Sequence, residues 1–334
     1  MTWTSRRIRN SFATLTAVMA AAALTGCGST ASGGSTGAAA EQTITLGLPV
    51  PATTLASVYL AIDKDLWKSQ NLKVKVVTFK GDADLAKAVL AGNVDVALGS
   101  LVGPLTVVAA GQDAKVIYGG FDMPAFSWWA VPSIHTVAEG KGQTWGVTTL
   151  GSSTDFLTRY AVAKSGLDPK KDIRVVQGGP SGPRLAAMKA GQIKVNIFTE
   201  PYTLKAPKLG YNLILDLKDL VPTYPMHVLW STPKFTSDGD VAKRFIAGLS
   251  AGMTMTKSDP DAAAQSVSKA NKIPLEDAKA SVNKWLDQLY PDGRLPTAKD
   301  MDAFWQMGID GGVFKTRIPN SKWLNPTFMP KGTS

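Results

Sequence analysis

The sequence predicts a two-lobed α/β protein, on three observations. Short apolar runs of strand character alternate with helix-spaced apolar patterns, and the alternation breaks off and restarts near Trp145. One helix-turn-strand unit is also written twice, as VLAGNVDVALGSLVGP over 89–104 and as MKAGQIKVNIFTEPY over 188–202. Strands and helices alternating at this pace imply parallel pairing in a layered α/β domain. With 334 residues, 44% of them hydrophobic, the chain is long enough for one large domain or two ordinary ones, each with a substantial core.

Residues 1–26 read as an export signal. Arg6, Arg7 and Arg9 form a basic start, FATLTAVMAAAAL supplies a short apolar run, and Leu24-Thr25-Gly26-Cys27 closes it. The run is short for a membrane span, which needs about 20 residues, and the flexible GSTASGGSTGAAA follows, so 27–43 reads as a linker. LTGC resembles the lipobox of bacterial lipoproteins, which implies that Cys27 is the acylated first residue of the mature chain, anchored at the extracytoplasmic face of the cell membrane. The alternative is a soluble secreted protein whose one cysteine falls here. Ser5-Arg6-Arg7 hints at twin-arginine rather than general export, but Arg9 stands where that pattern wants an apolar residue. With Cys27 the only cysteine, no intrachain disulfide can form, and the fold is held by its core alone.

The formal charge is +10; loss of the three signal arginines leaves 33 Lys and Arg against 26 Asp and Glu, about +7. The lysines are scattered singly, without a basic stripe or interleaved aromatics. That suits a basic surface near anionic lipid and argues against nucleic-acid binding.

Along the mature chain, 44–48 alternates like a strand and stops at Pro49-Val50-Pro51. Leu55, Val58, Tyr59, Ile62 and Leu66 predict a helix over 54–69. A strand at 74–79, a helix at 85–91 closed by Gly92, and strands at 94–98 and 116–118 follow. The restart has a strand at 145–149, a helix over 154–166, a strand at 173–177, a helix at 185–190 and a strand at 195–199. The second lobe ends near 213–217 and Pro222, and 226–230 reads as a strand returning to the first. Helices at 241–250 and 262–270 and a helical pattern over 282–289 precede a proline-rich coil. The expected division is 44–121 with 226–334 as a discontinuous first lobe and 122–225 as the second.

VYLAIDKDLWKSQNLKVKVVTFKGDADLAKAVLAGNVDVALGS resembles the first lobe of solute-binding proteins of ABC importers of the nitrate, sulfonate and taurine type, a group that includes thiamine-pyrimidine binders. WGVTTLGSSTDFLTRYAVAKSGLDPKKDIRVVQ and RLAAMKAGQIKVNIFTEPY resemble the second lobe. The resemblance covers about 44–230. It implies a type II periplasmic-binding-protein fold, a small-molecule ligand held between the lobes, and delivery to the transmembrane subunits of an ABC permease. Lys194 stands where the family has an acidic residue, whereas the first copy keeps Asp95.

In open α/β sheets ligands bind outside the carboxyl ends of the strands. The loops at issue are 49–54, 99–103, 119–123, 148–154, 178–184 and 200–202. From these come the candidates Pro51, Thr53, Ser100, Leu101, Phe121, Gly151, Ser152, Ser153, Thr154, Glu200 and Tyr202, with His227 at the return crossing. Ser100 and the Gly151-Ser152-Ser153-Thr154 run stand where strands hand over to helices, where free N–H groups and hydroxyls suit an anion or a carbonyl; ordinary capping accounts for them equally well. Asp155 in the helix's first turn weakens the anion case, and Arg184 is either an anion partner or a solvated cation. Glu200 is the expected acceptor for a ligand amine or ring N–H, with a hinge carboxylate as the alternative. Phe121, Phe126, Trp128, Trp129 and Trp230 near the crossings suggest a flat or apolar ligand part, although any one tryptophan suits the core better than a ligand wall.

These features point to a zwitterion such as an aminosulfonate, to an aromatic acid, or to an aminopyrimidine. With two histidines and one acylated cysteine, no metal site or Cys-His pair can be assembled, and no cofactor is expected. No GxxxxGK[ST] loop is present, so ATP hydrolysis would belong to a partner. The expected protein is a monomeric, lipid-anchored binding protein. An exported enzyme on the same fold and a ligand-reporting sensor partner remain open.

Overall fold

The computed structural model describes residues 41–331; the expected signal, Cys27 and nearly all of the linker lie outside the described residues. The chain runs β1 (Gln42–Leu48), α1 (Ala56–Asp63), β2 (Leu72–Thr78), α2 (Asp82–Leu90), β3 (Val96–Gly99), α3 (Val102–Ala109) and β4 (Lys115–Phe121). After a crossing come β5 (Ser127–Ala130), β6 (Thr144–Val147), α4 (Ser153–Lys164), β7 (Arg174–Gln177), α5 (Ser181–Lys189), β8 (Val195–Phe198), α6 (Tyr202–Lys205) and β9 (Asn212–Asp216). A second crossing leads to β10 (His227–Ser231) and then to α7 (Pro233–Thr236), α8 (Gly239–Ser258), α9 (Pro260–Asn271), α10 (Leu275–Asn283), α11 (Ala298–Asp310) and α12 (Asn320–Trp323).

The strands form two mixed sheets of five, ordered β2-β1-β3-β10-β4 and β7-β6-β8-β5-β9. The two orders are one pattern. β1 is parallel to β2 and β3, and β6 is parallel to β7 and β8. The strand that follows a crossing takes the fourth place, β10 in the first sheet and β5 in the second, and runs antiparallel to both neighbours. The parallel pairing expected from the alternation holds for β1 with β2 and β3 and for β6 with β7 and β8, and the strands after the crossings add antiparallel pairs. A strand arriving from the other sheet enters at the end where the parallel strands finish, so it must run the opposite way.

The sentence written twice is the same join made twice. Asp95 N donates to Thr45 O at 3.1 Å, and Lys194 N donates to Thr144 O at 2.9 Å. In the first copy the Asp95 carboxylate also accepts from Thr45 N at 2.7 Å, a closure that Lys194 cannot reproduce.

Three expectations change. The helix predicted to 69 ends at Asp63, because Asp65 turns left-handed at φ 53° and Leu66 N folds back onto Ala61 O. α3 escapes a periodicity reading because VGPLTVVA is apolar all round and mostly buried. The expected terminal coil contains α11, capped by Thr297 and anchored by Phe304, which stacks on Phe156 of α4 at 5.2 Å. Most of the buried apolar side chains form one contiguous cluster that draws on both sheets, with Trp128, Trp145 and Trp230 fully enclosed.

Candidate functional site

Between the carboxyl ends of the two sheets lies a cleft with about 530 Å³ of empty space, the solvent at its mouth included. The loops of the first sheet contribute Pro49, Val50, Asp82, Ser100 and His227 to its wall. Those of the second contribute Phe126, Ser153, Thr154, Arg184 and Thr199. The two walls approach closely at Gly81, where a Cβ would lie 2.4 Å from Thr149 Oγ1, so any larger residue there would force them apart.

Asp82, the first residue of α2, joins the walls. Its Oδ1 accepts from Ser100 N at 3.0 Å, and its Oδ2 accepts from Ser153 N and Ser153 Oγ, both at 3.3 Å. Only Ser153 of the Gly-Ser-Ser-Thr run reaches across in this way. Ser152 Oγ donates to Thr149 O at 2.7 Å, and Thr154 Oγ1 accepts from Thr148 N at 2.9 Å, so both hydroxyls stabilise their own loop. Asp155 accepts from Gly151 N at 2.9 Å and pairs with Arg159 Nε at 2.8 Å, which places a compensated carboxylate in the first turn of α4.

Arg184 is 2% exposed. Its guanidinium donates to Gly179 O at 3.0 Å and Asn196 Oδ1 at 2.7 Å, and also to Ile197 O and Ser181 Oγ, while Asn196 donates back to Arg184 O at 3.0 Å. Burial pulls its pKa down to about 9, and it has no carboxylate partner among the described residues. His227 is held neutral: burial pushes its pKa down to about 3, and its Nε2 shares a hydrogen bond of 2.8 Å with Thr54 Oγ1. Among the described residues, His227 Nδ1 and Ser100 Oγ have no hydrogen-bond partner.

Ser100, Ser153, Thr154 and His227 thus come together in the cleft. The other candidates lie elsewhere. Leu101 and Phe121 are fully enclosed core, Phe121 meeting the His227 ring edge-on at 5.7 Å. Pro51 is exposed and gives way to its neighbours Pro49 and Val50. Gly151 turns the loop at φ +78°, and Ser152 stands at the N-cap position of α4 with its hydroxyl turned back to Thr149 O. Tyr202 stacks on Phe198 at 5.8 Å.

Glu200 stands outside the cleft wall. Its carboxylate accepts from Lys284 Nζ, from Trp285 Nε1 at 3.2 Å and from Thr203 Oγ1 at 3.1 Å, and its backbone carbonyl accepts from Thr53 Oγ1 at 3.1 Å. Glu200 and Thr53 therefore bridge the sheets rather than line the space between them. Trp128 and Trp129 lie within β5 and Trp230 within β10; of the aromatic residues at the crossings, Phe126 is the one that faces the cleft together with His227.

Asp82 is the residue that sequence reasoning missed. It falls in a loop after a strand, as the carboxyl-end rule requires, but it also reads as an ordinary acidic residue in a helix's first turn.

The NMT1/THI5-like family model matches residues 52–263. The chain belongs to the NMT1/THI5-like family. Among curated proteins, a search finds no match. Of the solved structures, the alkanesulfonate-binding protein SsuA of Xanthomonas axonopodis pv. citri, bound to MOPS, is similar, with a TM-score of 0.69 at 20% identity over 86% of this chain and 100% of that one. The Candida albicans CA3427 gene product, described as having the generic periplasmic binding protein fold, gives 0.68 at 14% over 85% and 96%. The periplasmic nitrate-binding protein NrtA of Synechocystis PCC 6803 gives 0.62 at 17% over 71% and 68%. This NMT1/THI5-like chain therefore has the periplasmic-binding-protein fold, with its cleft at the carboxyl ends of two mixed sheets. No described helix is long and apolar enough to cross a membrane.

Proposed function

We propose that this chain is an extracytoplasmic solute-binding protein that closes on a small organic molecule and presents it to the transmembrane subunits of an ABC importer. In this reading 1–26 is removed, 27–43 is a tether lipidated at Cys27, and the protein works as a monomer. Residues 44–121 with 226–334, and 122–225, act as lobes hinged at the crossings 122–126 and 217–226. The observation that carries the reading is the cleft itself, walled by strand-end loops of both sheets and bridged by Asp82 and Ser153. Contacts from both lobes to one ligand would stabilise the closed state over the open one. The membership of the family and the likeness to an alkanesulfonate-binding protein and to the ligand-binding component of an ABC-type import system of Staphylococcus aureus support the same reading.

The deciding experiment is native mass spectrometry of the protein as purified and against sulfonates, aromatic carboxylates and aminopyrimidines, with melting followed in parallel. One unmodified molecule bound one to one and raising Tm is the expected result. A probe converted into a product of different mass would overturn the reading in favour of an exported enzyme.

A further inference from the structure

We propose that Asp82 sets the specificity of this cleft: its carboxylate occupies the start of α4, where an anionic group would otherwise be held, and receives a protonated nitrogen of the ligand. The inference rests on the binding-protein reading above and adds to it the charge of the group recognised.

Four observations carry it. Asp82 is 5% exposed, and its three hydrogen bonds all come from neutral donors, Ser100 N, Ser153 N and Ser153 Oγ. A buried carboxylate ordinarily has a cation, and among the described residues Asp82 has none. Second, the Ser153 N–H and hydroxyl that begin α4 already face a negative charge, so a sulfonate or nitrate placed there would meet a like charge in a low-dielectric space. Third, Ser100 Oγ and His227 Nδ1 are unpartnered on residues 3% and 4% exposed, and both residues belong to the same wall as Asp82. An ammonium or amidinium nitrogen with several hydrogens suits a carboxylate flanked by such groups, since the hydroxyl offers a lone pair and so does His227 Nδ1 in the tautomer whose Nε2–H donates to Thr54 Oγ1. Fourth, Arg184 lines the opposite wall without a carboxylate partner among the described residues, so the far end of the ligand is neutral or negative rather than a second cation.

The test uses the full-length protein as wild type, Asp82→Ala and Asp82→Asn. Each is titrated calorimetrically and melted with matched probe pairs: 2-aminoethanesulfonate and ethanesulfonate, 4-aminobutyrate and butyrate, benzylamine and benzyl alcohol. Wild type is expected to take the amino member of at least one pair and to ignore its partner. D82N, nearly isosteric, should weaken that binding by about tenfold to a hundredfold while still melting cooperatively. D82A, which vacates the helix start, should gain a Tm rise with ethanesulfonate that wild type lacks. The inference is overturned if wild type binds a deaminated partner as tightly, if D82N binds the amine undiminished, if D82A gains no anion binding, or if no amine binds wild type. Silence of all three proteins towards every probe likewise overturns the inference and leaves the binding-protein reading to the mass-spectrometric panel above, where product formation would overturn it.

Discussion

Asp82 and Glu200 each tie the two halves of the molecule together through a buried carboxylate, Asp82 beside the cleft and Glu200 outside it. Glu200 has its counterion within the fold, Lys284 from the segment after α10, with the Trp285 indole on the other oxygen. Asp82 is held by backbone N–H groups and a hydroxyl and has no cation among the described residues. The contrast teaches how to read a buried charge. One whose partner is supplied by the chain acts as a structural bridge, and one left uncompensated at a cavity wall is available to a ligand.

The sharpest way to break the comparison is to remove the partner of Glu200. Lys284→Met leaves a carboxylate that is 1% exposed facing only an indole and a hydroxyl. It should cost about 3 kcal/mol, seen as a lower urea midpoint at unchanged slope. Adding Glu200→Gln should restore part of that loss, and an undiminished midpoint in Lys284→Met alone would remove the distinction drawn here. Asp82→Asn breaks no ion pair, but its NH2 replaces an oxygen that accepts from Ser100 N or from Ser153, so it should by contrast cost only about 2 kcal/mol of stability, the penalty of one unsatisfied buried donor.

Acid titration probes the cleft side next. His227 has a folded-state pKa of about 3, lowered by burial, against an ordinary 6.5. The unfolded chain therefore binds a proton between those values and the fold does not, so this contribution is intact above pH 6.5 and lost as pH falls towards 3. Asp122, at the first crossing, works oppositely. Burial and then the nearby Asp300 carboxylate raise its pKa to about 8, so its contribution is intact below about pH 4 and lost as pH rises towards 8. Asp122→Asn should thus flatten the decline in urea midpoint between pH 6.5 and 8, and His227→Gln in that background should flatten the decline below pH 6.5. The smallest expected effect is that of Trp285→Phe, which removes one hydrogen bond to Glu200 and should cost about 1 kcal/mol with ligand affinity unchanged.

Much of this fold is legible in local patterns. The Ala-Gly closures of α2 and α5 and the strands that follow them depend on neighbours a few residues apart, and Gly92 and Gly191 take the left-handed φ expected of helix-ending glycines. β5 is less legible, because SWWA at a crossing reads equally as an aromatic ligand wall and as a central strand. Its place between β8 and β9 decides for the strand. α11 hides because its cap, Thr297, follows Pro296 in a stretch rich in turn residues, and what holds it is contact with α4, more than 130 positions away in sequence.

The sequence alone determined the α/β class, the repeated helix-turn-strand unit and the strand-end loops, because each of these is encoded by periodicity, turn residues and order along the chain, and the resemblance of its residue stretches pointed to the family. Only the tertiary structure decided which carboxylate faces the cleft. Glu200 and Asp82 both stand at the end of a strand or at the start of a helix, and nothing local distinguishes them. The difference is made by Lys284 and Trp285, which arrive 84 and 85 positions later to neutralise Glu200, and by the absence of any such cation beside Asp82 among the described residues.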